Sequence, residues 1–275
     1  MSSRMLRAHV EGIGCIGPGF DDWPATRALL RGDTPYASRP TNLPAPALLP
    51  ASERRRASRA IKVALAAGGE AVAMTGRDAS TLLSVFSASA GDGSNCHELC
   101  QQLATDDRQI SPTRFHNSVH NAPAGYWGIA TGAMATSSVL CAYDASFGAG
   151  LLEAMAQVVT DRMPVVLVVY DTDYPEPLWS VRPVPDALGV ALVLAPEPSP
   201  RSLATIEVAL AQATADTLPD PALETLRATA PAARALPLLA ALATLTTSSA
   251  AAPHRVMLDY LDGTRLAIAV GPPRT

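Results

Sequence analysis

Lysine is nearly absent from this chain. Lys62 is the only one among 275 residues, so positive charge is carried almost wholly by arginine. Aromatic residues make up only 5%, which leaves the packing to Ala, Val and Leu. Cysteine is scarce as well. Four of them (Cys15, Cys96, Cys100 and Cys141) are too few for a disulfide-stapled scaffold. The opening MSSRMLRAHV has no apolar stretch of the kind a secretory signal carries. These absences point to a reduced, cytoplasmic compartment. No run is apolar enough to span a membrane: Ala230–Thr247 comes nearest, but Arg234 and Pro237 interrupt it, and it falls short of the roughly 20 strongly apolar residues required. A net charge of −4 argues against nucleic acid as the main partner.

What is present is core-forming material, 48% hydrophobic against 17% charged, in a length that suits one large domain or two small ones. Residues 7–16 read as a first strand closed by Gly17-Pro18-Gly19, and 21–31 as a helix. A Pro-rich loop runs from Pro35 to Pro50, and one long helix is expected from Ser52 to Met74. SVFSAS (84–89), residues 137–142, PVVLVVYD (164–171) and GVALVLA (189–195) read as apolar strands. Helical patterns lie at 96–104, 121–132 and 148–161. The interval 196–253 holds two helical patterns and a strand pattern at 202–210. Residues 254–270 then form a hairpin turning at Asp262-Gly263. Continuous apolar strands alternating with helices predict an α/β fold, its sheet mostly parallel and covered on both faces.

The most informative stretch is SSVLCAYDASFGAGLLEA (137–154): a strand, a tight turn of small residues, then an amphipathic helix. Such an elbow exposes one side chain and aims a helix N-terminus at it, which is how several α/β enzymes present a nucleophile. Asp144 is expected at the tip, where others carry a thiol or hydroxyl. Cys141, within the strand, reads as a small core residue.

FHNSVHNAPAGYWGIATG (115–132), the elbow through Ala154 and PVVLVVYDTDYPEP (164–177) together resemble the N-terminal half of a β-ketoacyl synthase. More narrowly, they resemble the short ketosynthase-like chain length factors of aryl polyene and xanthomonadin-type pigment clusters. The clear match covers about residues 80–195. It implies a thiolase-like fold over 1–275, with a ketosynthase-like core at 1–195 and a reduced C-terminal part, 196–275, ending in the hairpin.

The resemblance also places Asp144 where active ketosynthases carry the cysteine whose thiolate accepts the acyl chain. A carboxylate there can rest on the helix dipole but cannot form a thioester, and the mixed anhydride it would give lies uphill. The two histidines that the family's second half supplies have no counterpart; the only histidine beyond residue 120 is His254, in an unrelated context. The implied function is a non-catalytic subunit that forms a heterodimer with an active ketosynthase, works with an acyl carrier protein and needs no cofactor. Two alternatives stand beside it: a minimal acyl-transfer or condensing enzyme using Ser146 or Cys141, and a carrier-docking scaffold.

Candidate tunnel or interface residues are His116, Asn117, His120, Asn121, Tyr126, Trp127, Phe147 and Trp179. Helix capping is the favoured reading of the His/Asn pattern, and packing that of Tyr126 and Trp127. The i, i+4 spacing of His116 and His120 lacks a third ligand, and CHELC (96–100) lacks a second pair, so neither reads as a metal site. Arg54, Arg55, Arg56 and Arg59 form the one basic cluster. It is a candidate dock for an acidic carrier, although a solvated helix face is the commoner role of such runs. The loop 171–189, long and rich in proline, is of a kind that often carries function.

Overall fold

In the computed structural model, which describes residues 5–245 and 253–273, one eight-stranded sheet runs through the molecule in the order β3-β2-β4-β5-β1-β6-β8-β7. The strands are β1 (Leu6–Ile16), β2 (Leu83–Ser87), β3 (Ser137–Leu140), β4 (Val165–Asp171), β5 (Leu188–Ala195), β6 (Ala204–Ala211), β7 (His254–Asp259) and β8 (Arg265–Gly271). The sheet is mixed, not mostly parallel. Only β2 with β3 and β2 with β4 pair in parallel; the other five pairings are antiparallel. Unbroken apolar runs report burial on both faces, which says nothing of strand direction. The last residues of the Ala230–Thr247 run and the opening residues 1–4 lie outside the described residues. Among the described residues no helix is long and apolar enough to cross a membrane.

Both faces are covered. Along β4, Val165, Leu167 and Val169 enter one core while Val166, Val168 and Tyr170 enter the other, as strand alternation requires. On one face α7 (Ser146–Asp161) packs with α9 (Pro221–Thr229), α10 (Leu236–Thr244) and α1 (Trp23–Leu30) over Leu151, Met155, Leu192, Leu194 and Leu239. On the other lie α3 (Arg59–Thr75) and α6 (Ala122–Thr131). Here α3 presents Ala60, Ala64, Ala67 and Ala71, and the strands answer with glycine. A Cβ at Gly12 or Gly14 of β1 would overlap the carbonyl oxygen of Ala71 or Ala67, so helix and strand backbones touch.

The long helix expected from Ser52 is two: α2 (Ala51–Arg56) and α3. Ala57 and Ser58 turn extended, and the Ser58 hydroxyl accepts from the Ile61 amide at 3.5 Å as the N-cap of α3. The helices α4 (Gly93–Leu103) and α5 (Pro112–Asn117) follow β2, with Asp92 of the Gly-Asp-Gly turn capping α4 through the Asn95 amide at 2.9 Å. The terminal hairpin turns at Gly263, whose φ of 72° suits glycine.

Candidate functional site

The elbow forms where β3 stops at Leu140 and α7 begins at Ser146. Between them Tyr143 takes φ 52°, a left-handed conformation uncommon for a non-glycine residue. Buried Ser146 locks this turn. Its oxygen accepts from the Ala142 amide at 3.1 Å, and its proton lies within reach of the Tyr143 and Ala88 carbonyls at 2.7 and 3.0 Å. The strained residue at the tip is thus Tyr143, 62% exposed, with Asp144 one step further along.

Asp144 is tied on both sides. Arg182 donates to one carboxylate oxygen at 2.6 Å and Arg234 to the other at 3.2 Å. The Arg182 guanidinium also lies 3.4 Å over the Tyr143 ring, a cation–π stack. Arg182 belongs to the loop after β4, and Arg234 to the 3-10 turn Pro231–Ala235 that precedes α10. The elbow therefore gathers three distant segments around a carboxylate each of whose oxygens accepts from an arginine. Cys141 is exposed and follows the strand, not a core residue as its position suggested; its thiol sits 3.1 Å from the Ser89 carbonyl.

Beneath the elbow lies a residue that sequence reading missed. Asp171, the final residue of β4, is fully buried and accepts from the Ser89 amide (2.9 Å), the Ser89 hydroxyl (2.5 Å) and the Ala232 amide (2.8 Å). Burial pushes its carboxyl up to about 6 against these hydrogen bonds. The signal was available: Asp171 is the one charge ending the apolar run PVVLVVYD.

The residues of 115–132 divide. Asn117 donates from Nδ2 to the Arg56 carbonyl at 2.8 Å, covering the C-terminal end of α2. Asn121 occupies the N-cap place of α6 without a side-chain cap bond. Tyr126 and Trp127 are buried in the α3 face, where Trp127 meets Phe86 with ring centroids 6.2 Å apart. His116 packs edge-on to Tyr126 at 5.9 Å. His120 is half-buried, and that burial holds its imidazole below the ordinary value, partly offset by its contact with the Ala88 backbone. Ala88 also carries the carbonyl beneath Ser146, so His120 is the member of this segment that reaches the base of the elbow. Phe147, on the first turn of α7, is buried in the adjoining core, and Trp179 stands half-exposed on α8 (Leu178–Val181), just before Arg182.

In the basic cluster most arginines already have partners. Arg54 donates to the Ala47 and Leu49 carbonyls at 3.1 and 3.0 Å, Arg56 pairs with Glu53 at 3.2 Å, and Arg59 bridges Asp173 and Asp186. Among the described residues no group of three or more His, Cys, Asp or Glu could hold a metal ion.

This architecture has close structural relatives. A chain of the ketosynthase ApeO in complex with its chain length factor ApeC, from Xenorhabdus doucetiae, superposes with a TM-score of 0.72 at 20% identity, covering 96% of this chain and 99% of that one. The ishigamide ketosynthase/chain length factor gives a TM-score of 0.72 at 14% identity over 98% of this chain and 100% of its own. The AntDE:AntF complex, a type II ketosynthase bound to its acyl carrier protein and a hexaketide, gives 0.75 at 12% identity over 98% and 99%. At these identities the likeness establishes the fold. A search of curated proteins finds no match. The model of the β-ketoacyl synthase N-terminal domain matches residues 29–255, most of the chain. With its elbow rebuilt around a carboxylate and two arginines, the chain belongs to the β-ketoacyl synthase family.

Proposed function

We propose that this chain is a non-catalytic, ketosynthase-like subunit: a chain length factor that pairs with an active β-ketoacyl synthase in the cytoplasm, in aryl polyene or fatty-acid-like biosynthesis. One observation carries the reading. At the elbow, where the family presents its acyl-accepting thiolate, both oxygens of Asp144 are engaged by arginine and the tip residue Tyr143 lies under Arg182. A carboxylate held by two arginines is a poor nucleophile, and the mixed anhydride it would form lies uphill of a thioester. Ser146, the alternative hydroxyl, is buried in the turn, and the exposed Cys141 thiol bonds to the Ser89 carbonyl, not to a base. His254 lies on β7, at the opposite end of the sheet from β3 and the elbow.

A partner subunit requires an exposed, ordered face. The strand β3 is an open edge of the sheet, and Met134 just before it is 94% exposed. On the elbow side Tyr143, Leu178, Trp179 and Val181 are exposed on segments pinned by Arg182. Exposed apolar groups held in one shape characterise protein interfaces. The solved relatives include ketosynthases in complex with chain length factors and with a carrier protein, which agrees with this assignment. His120 and Phe147 would then act at the base of the elbow, and Trp179 at the contact with the partner. Two of the four cluster arginines, Arg56 and Arg59, are already ion-paired, which does not favour the docking-scaffold alternative.

Co-expression with an active ketosynthase tests this directly. The expected result is a one-to-one complex that elongates acyl chains only when both subunits are present. In it Asp144→Cys gains an alkylatable thiol while the chain alone still fails to condense. Acyl transfer by the isolated chain, or a monomer that binds no ketosynthase, would overturn the proposal.

A further inference from the structure

A cavity of about 180 Å3 lies on the α3 face, away from the elbow, between the Pro-rich loop and the outer stripe of α3. Pro44, Pro46, Leu65, Ala66, Trp127 and Ala130 give it apolar walls. Lys62 borders it without a partner among the described residues, and the ring of buried Trp127 forms part of its wall. Glu70 lines the far end, eight residues or roughly 12 Å along the helix from Lys62. Its two oxygens already accept from the Trp23 amide at 2.6 Å and the Cys15 amide at 2.9 Å. Gly69 faces open space, for a Cβ added there meets nothing within 4 Å.

From this arrangement we infer a second binding site, for a short unbranched carboxylate whose chain fills the cavity and whose carboxylate accepts from Lys62. The size suits it: a dry cavity of about 150 Å3 takes up a molecule such as benzene. The charge suits it too, since Lys62 is the only lysine of the chain and has no ion-pair partner among the described residues. The inference does not depend on the role proposed for the elbow.

Hexanoate is the probe, titrated into the full-length chain, or into its ketosynthase complex, by calorimetry and through the indole N–H resonance of Trp127. One site is expected, with butanoate binding more weakly than hexanoate. Gly69→Leu builds a side chain from a point where a Cβ meets nothing within 4 Å; it should keep the melting temperature and lose at least tenfold in affinity. Lys62→Met should weaken hexanoate about tenfold and leave neutral hexanamide unchanged. Absence of any Trp127 shift at 10 mM hexanoate, or equal binding by folded Gly69→Leu, overturns the site. Equal binding of hexanoate and hexanamide by the parent chain overturns the role given to Lys62.

Discussion

The two faces of the sheet meet the same demand by opposite means. On the α7 face the strands send out Leu, Val and Ile against Leu151, Met155 and Leu239, and side chains fill the gap between layers. On the α3 face the gap is removed instead. Alanines of the helix meet Gly12 and Gly14 of β1 and Gly189 of β5, so main chain lies on main chain. The first face can lose atoms and suffer a cavity; the second can gain none. A core is therefore specified as strongly by where volume is forbidden as by where it is required.

That contrast breaks most sharply at Gly14. Gly14→Val should cost well over 3 kcal/mol, read as loss of soluble protein or of a cooperative urea transition, because the added carbons fall on the Ala67 carbonyl. Leu192→Ala on the other face should cost about 3 kcal/mol in the same assay while leaving a cooperative transition, the mark of a tolerated cavity. Equal behaviour of the two variants would erase the distinction.

Asp171 sharpens the comparison between buried apolar and buried ionisable groups. Its carboxyl is raised from the ordinary 3.8 to about 6 in the folded chain. Between those values the unfolded chain has released a proton that the folded chain keeps. Stability from this group is therefore greatest at low pH, falls as pH rises from about 4 to 6, and is level above that, by up to about 3 kcal/mol. Asp171→Asn should flatten this slope while costing about 1–3 kcal/mol at low pH, since an amide nitrogen would face the Ala232 amide. Urea titrations from pH 4 to 7 measure both.

The smallest effect belongs to Asp144. Its ion pairs are half-exposed and screened, so Asp144→Asn should cost under about 1 kcal/mol globally. Locally the change should be larger: with Arg182 released, chymotrypsin should cut after Trp179 several times faster. An unchanged cleavage rate would show that the loop is held by other contacts.

Much of this was legible in the chain. Strands with apolar residues at every position announced burial on two sides, and Asp262-Gly263 announced its hairpin. Direction was not legible, because the turn-back from β4 to β5 passes through sixteen residues (172–187) that contain no periodicity. The break between α2 and α3 was signalled only by Ser58, a cap that competes with good helix formers on either side. At the elbow the strand, turn and helix were plain. Which residue takes the left-handed conformation depends on how Ser146 folds back onto Ala142 and Ala88, a contact made through space and not along the sequence.

The position of β1 has a consequence for how the chain comes into being. β1 pairs with two strands made long after it: with β5, as in His9 with Ala195, and with β6, as in Leu6 with Val208. Neither partner exists yet when β1 is made. Until β5 and β6 follow, the eleven residues of β1 have neither of their sheet neighbours. Pairing this non-local should make folding slow and leave the yield in a cell sensitive to whatever shelters β1 in the meantime. Slower synthesis at lower temperature, or a holding chaperone, should raise the soluble fraction without any change in the final stability.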